Sequence, residues 1–312
     1  MIAIIKKYYL LIFKGMAMGA ADVVPGVSGG TIAFITGIYE ELINSIKAID
    51  LNAFKILFKK GIPAFWEKIN GWFLLFLLLG IGISIVSLSK LILYLLTNYP
   101  TLLWSFFFGL VIASAIYVGS TIKKWNLQLI VGLIAGAAFA YYITIASPAQ
   151  GPTELWFVFI TGAIAICAMI LPGISGSFIM LLMGMYEFIL NSLTSLKISV
   201  ILTFMAGAAI GIVSFSHLLS WMLRKYHNLT IAILTGFMIG SLNKVWPWKK
   251  VLETKIVHDK EVVMKEVNVL PNVYTELTGK PDFLVQCILL MLFGLISIYT
   301  IEYLAGRKKK LV

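Results

Sequence analysis

Charge is what this 312-residue chain has least of: 12% of its residues are Asp, Glu, Lys or Arg, while 60% are apolar. A soluble domain carries roughly twice that charged fraction, about 25%, so a water-facing globular protein is excluded and burial in a membrane is expected. Cysteine is also sparse. Cys167 and Cys287 both lie in apolar segments without metal-ligand spacing, which argues against a disulfide framework and against a zinc site. Histidine is sparse as well: three are present, and His217 alone falls inside an apolar segment. The net charge of +11 would suit nucleic acid if it formed one stripe, but the basic residues are scattered between apolar runs, so no nucleic-acid partner is expected.

What the chain has in abundance is long apolar sequence. Crossing ~30 Å of hydrocarbon takes about 20 apolar residues in a helix, and six windows meet that length: Trp72–Thr97, Leu102–Thr121, Leu127–Ala146, Ser199–Leu223, Thr230–Trp246 and Phe283–Leu304. A second feature is an internal repeat. Gly15–Ile49 superimposes on Gly162–Leu196 without a gap at an offset of 147, and twelve of the 35 positions are identical. Among them are Pro25/Pro172, Gly26/Gly173, Ser28/Ser175, Gly29/Gly176, Gly37/Gly184, Tyr39/Tyr186, Glu40/Glu187 and Asn44/Asn191. The match resumes at an offset of 127, pairing Ser84–Leu91 with Gly211–Leu218 and Gly109 with Gly236. Lys6 and Lys7 ahead of Tyr8–Phe13 look like the start of a signal peptide. The internal twin of the segment that follows indicates instead that it belongs to the folded protein.

Each repeated motif reads as an apolar helix, an abrupt Pro-Gly-x-Ser-Gly break and a second apolar stretch. Pro and Gly stop the first helix, and Ser followed by small residues suits the start of the second. Arms of about 15 residues are short for a full span, so a re-entrant hairpin is expected, with a broken spanning helix as the alternative. The fold class that follows is an all-α polytopic membrane protein of two inverted repeats, each a re-entrant hairpin plus about three transmembrane helices. Residues 1–150 form repeat one, with hairpin 8–48 and an amphipathic loop 50–70 whose lysines alternate with Phe54, Phe58, Phe65 and Trp66. Residues 151–312 form repeat two, with hairpin 154–196 and an external loop 247–282. That loop has six lysines and six acids. Lys6, Lys7, Lys14, Lys47, Lys55, Lys59, Lys60, Lys68, Lys123, Lys124, Arg224, Lys225 and the tail Arg307–Lys310 fall on one side, which is expected to be the cytoplasm and to hold both termini.

The breaks are the expected site. Unpaired N–H groups at a helix start attract phosphate or carboxylate, and hairpins entering from opposite faces would bring Ser28 and Ser175 together near the midplane. Gly29, Gly30 and Gly176 would let a headgroup approach the backbone, and Ser28, Thr31, Ser175 and Ser177 carry hydroxyl donors. The alternative is that the small residues serve only helix packing. Asp22, whose counterpart is Met169, is either a proton or counter-ion site or a carboxylate bonded to the hairpin's own backbone. Glu40 and Glu187, about 12 residues and ~18 Å of helix beyond the tips, either line an entrance or make a structural contact near the surface. Lys90 and His217 align in the repeat; each either meets a phosphate or, respectively, snorkels or is a satisfied bundle histidine. Lys244, beside Trp246 and Trp248, looks like an interface anchor.

GMAMGAADVVPGVSGGTIAFITGIYEEL in the first half and AMILPGISGSFIMLLMGMYEFIL in the second resemble the polyprenyl-phosphate transporters, or undecaprenyl-phosphate translocases, formerly a domain of unknown function. The likeness covers essentially the whole chain. It implies return of undecaprenyl phosphate from the outer to the inner leaflet of the cytoplasmic membrane, for recycling of the lipid carrier of peptidoglycan and other envelope polymers. It carries over Asp22, Pro25, Gly26, Ser28, Gly29, Gly30, Pro172, Gly173, Ser175, Gly176 and Ser177. No cofactor is implied; a proton or sodium gradient is compatible with the residues, and the oligomeric state is open. A carrier of a small soluble anion or ion fits paired hairpins as well, and an opening from the site to the bilayer would discriminate. An enzyme built on the Gly-x-Ser-Gly serines would need a base, and His217 has no second equivalent for the duplicated serine.

Overall fold

In the computed structural model the described residues are 2–24, 27–149, 151–257 and 260–309. Pro25 and Gly26 of the first break, and Lys310 of the tail, lie outside them. The first half runs α1 (Ile2–Val23), α2 (Gly29–Ile35), α3 (Tyr39–Lys47), α4 (Leu51–Lys68), α5 (Gly71–Ser87), α6 (Ser89–Asn98), α7 (Pro100–Ser120) and α8 (Leu127–Ile145). The second runs α9 (Leu155–Ile170), α10 (Gly176–Leu182), α11 (Tyr186–Thr194), α12 (Ile198–Lys225), α13 (His227–Ser241), β1 (Lys249–Val257), β2 (Lys260–Asn268), α14 (Pro271–Thr278) and α15 (Leu284–Lys309).

The protein is a mostly helical, multi-pass membrane protein. Three helices, α7, α8 and α12, are each long and apolar enough to cross a bilayer alone. Two bent apolar pairs, α4–α5 at 58° and α10–α11 at 111°, bring the candidate spans to five and are consistent with re-entrant loops. The most apolar windows of α8 and α12 bury only 22% and 17% of their residues inside the protein. Their outward faces therefore have lipid as solvent. The α7 window is 50% buried, which makes it the most enclosed of the three.

Small residues set the helix pairing, as they do where lipid gives no hydrophobic push between helices. At four crossings a glycine lies against the carbonyl of its partner, so that an added Cβ would run into backbone. Gly15 and Gly80 join α1 to α5, with Leu77 and Ile12 supplying the carbonyls. Gly162 and Gly207 join α9 to α12 against Phe204 and Phe159. Gly109 and Gly294 join α7 to α15, and Gly236 and Gly136 join α13 to α8. Gly15 and Gly162 are matched positions of the sequence repeat, as are Gly80 and Gly207, and Gly109 and Gly236. The halves thus use the same crossings. The third long helix of each, α8 or α15, packs on the other half.

Three expectations need correction. The second arm of each hairpin is not one helix of about 15 residues: it ends after seven, turns at Gly37 or Gly184 with φ of +69° in both, and resumes as α3 or α11. The window Trp72–Thr97 is divided at Leu88, where the Ser87 hydroxyl donates back to the Ile83 carbonyl at 2.6 Å and competes with regular helix geometry. The all-α expectation also fails in the loop 247–282, where β1 and β2 pair antiparallel. β-branched residues such as Val251, Thr254, Val263 and Val267 are frequent there, as suits a strand. This cap is anchored by indole N–H groups: Trp246 donates to the Val269 carbonyl and Trp248 to that of Asp282, each at 2.9 Å. The loop 50–70 is helical as α4, N-capped by Asp50 and broken at Gly61, whose φ is +82°. It exposes Leu51, Phe54, Phe58 and Ile62, as an interfacial segment would.

Candidate functional site

The first tip is built by Ser28. Its backbone is extended, with φ −125° and ψ 136°, and its Oγ accepts the Gly30 N–H at 3.0 Å to cap α2. The same hydroxyl donates to the Met169 carbonyl at the end of α9, 2.8 Å away. One turn on, Thr31 Oγ1 accepts the N–H of Gly173 at 3.0 Å. These two hydrogen bonds, each spanning more than 140 residues of chain, join the two hairpin tips. Both side chains are fully buried. Gly30 fits because a Cβ would meet the Ile170 carbonyl. Gly173, at φ +88°, lies against Ser241, and this left-handed conformation strongly favours glycine.

Asp22 closes the first tip on itself: its carboxylate accepts the Gly29 N–H at 2.7 Å. Of its two sequence readings, the carboxylate bonded to the hairpin's own backbone is the contact observed. A side chain on Gly29 would collide with that carboxyl group. The second tip is put together differently. Ser175 has the same extended backbone but makes no cap bond to α10; its hydroxyl instead pairs with that of Ser177 at 2.8 Å. Met169 stands where a second Asp22 would, so the second tip lacks the carboxylate that holds Gly29. The tips are therefore unequal. One is capped and latched, and the other has two hydroxyls bonded only to each other among the described residues.

Of the residues expected at the tips, Ser28, Thr31 and Gly173 meet directly, and Gly30 packs on Ile170. Pro172 and Gly173 form the second break. Lys90 and His217 are both exposed and are not part of this junction; the His217 ring bonds the Val213 carbonyl of its own helix at 2.9 Å. Glu40 opens α3 and pairs with His227 at 3.1 Å, and Glu187 opens α11. Because each follows the turn at Gly37 or Gly184, neither lies along a straight helix from its tip. Lys244 is more than an interface anchor: its ammonium bonds Glu266 at 2.8 Å and lies 4.4 Å over the ring of Phe178, just beyond the second tip.

Sequence reasoning did not assign the tip's acceptor at Met169, since a carbonyl carries no residue-type signal. Lys14, by sequence a topology charge, donates its ammonium to the Thr36 carbonyl at 2.7 Å and ties the far end of α2 to α1. A lone lysine in an apolar arm was the available clue. Among the described residues no group of three or more His, Cys, Asp or Glu is placed to hold a metal.

The likeness to known proteins runs along nearly all of this architecture. A polyprenyl-phosphate transporter of Vibrio cholerae is 46% identical over 302 residues, 96% of this chain and 98% of that protein. A polyprenyl-phosphate transporter of Staphylococcus aureus is 31% identical over 257 residues, 77% of this chain and 86% of its own. No solved structure matches. A family model described as undecaprenyl phosphate translocase-like matches residues 18–263, a span that holds both hairpin tips, and the chain belongs to that family of transporters.

Proposed function

We propose that the chain moves polyprenyl phosphate, undecaprenyl phosphate in particular, from the outer to the inner leaflet of the cytoplasmic membrane, and so returns the lipid carrier of peptidoglycan and other envelope polymers. The observation that carries the mechanism is the pair of hydrogen bonds between the tips, Ser28 to Met169 and Gly173 to Thr31. In the described arrangement both hydroxyls are spent on this latch. Parting the tips releases them toward one cavity, where Ser28, Thr31, Ser175 and Ser177 and the N–H groups of Gly29, Gly30 and Gly176 are the donors for the phosphate oxygens. With α2 and α10 only seven residues long, hydroxyl and amide donors weigh more here than a helix dipole. The isoprenoid tail stays in lipid, and only the headgroup crosses.

Alternating exposure then follows from two halves, 1–150 and 151–312, arranged as an inverted repeat whose hairpins exchange the roles of inner and outer gate. The matched glycine crossings support that arrangement, and the clustering of Lys and Arg supports cytoplasmic termini. Asp22 holds the Gly29 N–H that the phosphate needs. Two anions repel at that distance, so a proton or sodium ion that neutralises Asp22 couples release of this amide to substrate binding. The test is lipid retained through purification: the native chain carries polyprenyl monophosphate detectable by mass spectrometry, and the Ser28→Leu/Ser175→Leu variant, folded by its helical circular dichroism, carries at least about tenfold less. Equal retention by the variant would exclude the tips as the site.

A further inference from the structure

Beside the second tip, and separate from the latch, a cavity of about 360 Å³ lies under the β1–β2 cap. One wall is apolar: Tyr141 and Ile145 from the end of α8, with Phe178 and Leu182 from α10. The other wall is polar and belongs to the cap and its stem. Asn243 donates to Thr144 at 2.7 Å and accepts from Asn268 at 2.8 Å. The charges between the walls do not balance. Lys244 and Lys249 both bond the same oxygen, Glu266 Oε1, at 2.8 and 3.0 Å. Two nearly enclosed cations thus share one anion. Lys249 is also engaged by the Lys244 carbonyl and the Trp104 ring, whereas Lys244 lines the cavity and rests on Phe178. Lys265 adds a further positive charge at the rim, with Glu253 as its cross-strand neighbour.

We propose that this cavity is a docking site for the phosphate monoester of a lipid, in which the headgroup replaces Glu266 as the anion on Lys244 while the tail lies along the exposed apolar surface of α8. One feature favours a lipid over a free ion. The apolar wall continues outward, since Tyr141 and Ile145 are half exposed on a helix whose outer face contacts lipid. Glu266 holds the place on Lys244 that a phosphate oxygen would take, because a carboxylate and a phosphate monoester offer an ammonium the same charged acceptor. Lys244 reaches Phe178, three residues past Ser175, so a headgroup taken up here is held next to the second tip. The inference rests on the transport reading above and gives it a first docking step.

The experiment uses the full chain in nanodiscs and farnesyl monophosphate as the probe. Modification of Lys244 by an amine-reactive reagent is followed by peptide mass spectrometry, with Lys123 as internal reference. Farnesyl monophosphate slows the modification of Lys244, and farnesol and inorganic phosphate at equal concentration do not. Glu266→Gln, which keeps the size of the side chain and removes the internal anion, lowers the half-protecting concentration by about tenfold. Equal protection by inorganic phosphate assigns the cavity to a soluble anion and overturns the lipid proposal; absence of protection by any probe overturns the site. The Ser28→Leu/Ser175→Leu variant keeps this protection. A chain that protects Lys244 but moves no lipid contradicts the transport reading alone, and one that moves lipid without protecting Lys244 contradicts this site alone.

Discussion

Ser28 and Thr31 each do at the tip what a packing residue would not. Ser28 uses one hydroxyl twice, accepting within its own hairpin and donating to the other, and Thr31 supplies the acceptor that the Gly173 N–H uses in a fully buried place. Replacing Thr31 by the near-isosteric valine removes that acceptor and costs the tip junction about 1 kcal/mol, a few-fold in the population of the parted state. Amide exchange at Gly173–Ser177 should quicken accordingly; unchanged exchange would show that the two tips are held by something else. The residues of this junction were legible because Pro-Gly-x-Ser-Gly is written twice. The contacts were not, because the Met169 carbonyl and the Gly173 N–H are backbone atoms brought close by tertiary structure. Asp22 was legible only as one of two readings, and the 2.7 Å bond to Gly29 shows which contact it makes in this arrangement.

At the scale of elements, the glycine crossings decide how near the helices come. Gly109 and Gly236 occupy matched places against α15 and α8, each with no room for a Cβ. Alanine at either should lower stability by about 1–3 kcal/mol through overpacking, seen as a lower melting temperature in detergent, whereas Gly82→Ala, with nothing within 4 Å, should change little. A loss at Gly82 equal to that at Gly109 would reject the crossing argument. The cap answers to pH. Burial acts to raise the Glu266 carboxyl, but Lys249 and Lys244 outweigh it and hold the group below its ordinary 4.5. Its stabilisation is therefore complete above that value and lost as pH falls through the folded one. Burial, opposed by Glu266, pushes Lys249 down from 10.5 to about 8. The unfolded chain thus binds that proton more tightly, and the cap gains stability as pH rises from about 8 to 10.5. Exchange of β1–β2 amides, corrected for intrinsic rates, should fall across the alkaline window and rise below about 4.5, with the acid limb lost in Glu266→Gln. An acid limb that survives in that variant would contradict the assignment. The strands were not legible, because apolar and charged residues in Lys249–Val257 and Lys260–Asn268 do not separate at a two-residue period. The turn after α2 was in view, since Gly37 and Gly184 are an identical pair in the repeat.

For the molecule as a whole, the repeat marked where the helices break, and three of the six apolar windows coincide with helices long enough to cross a bilayer alone, because both are local patterns of hydropathy. How the halves exchange α8 and α15 was not legible, because it depends on contacts between helices more than 90 residues apart, such as Gly136 against Ile233. That exchange packs α13 on α8 and α15 on α7, so neither half is a separate bundle. The central claim is that a lipid phosphate passes between leaflets by parting of the two tips. Its most direct test is the transbilayer movement of labelled undecaprenyl phosphate in liposomes that contain the purified chain, measured against empty liposomes and the Ser28→Leu/Ser175→Leu variant, with proton and sodium gradients imposed in both directions. The account predicts movement with the native chain and none above background with the variant. Movement at the native rate by the variant, or none by folded native chain under any gradient, would contradict it.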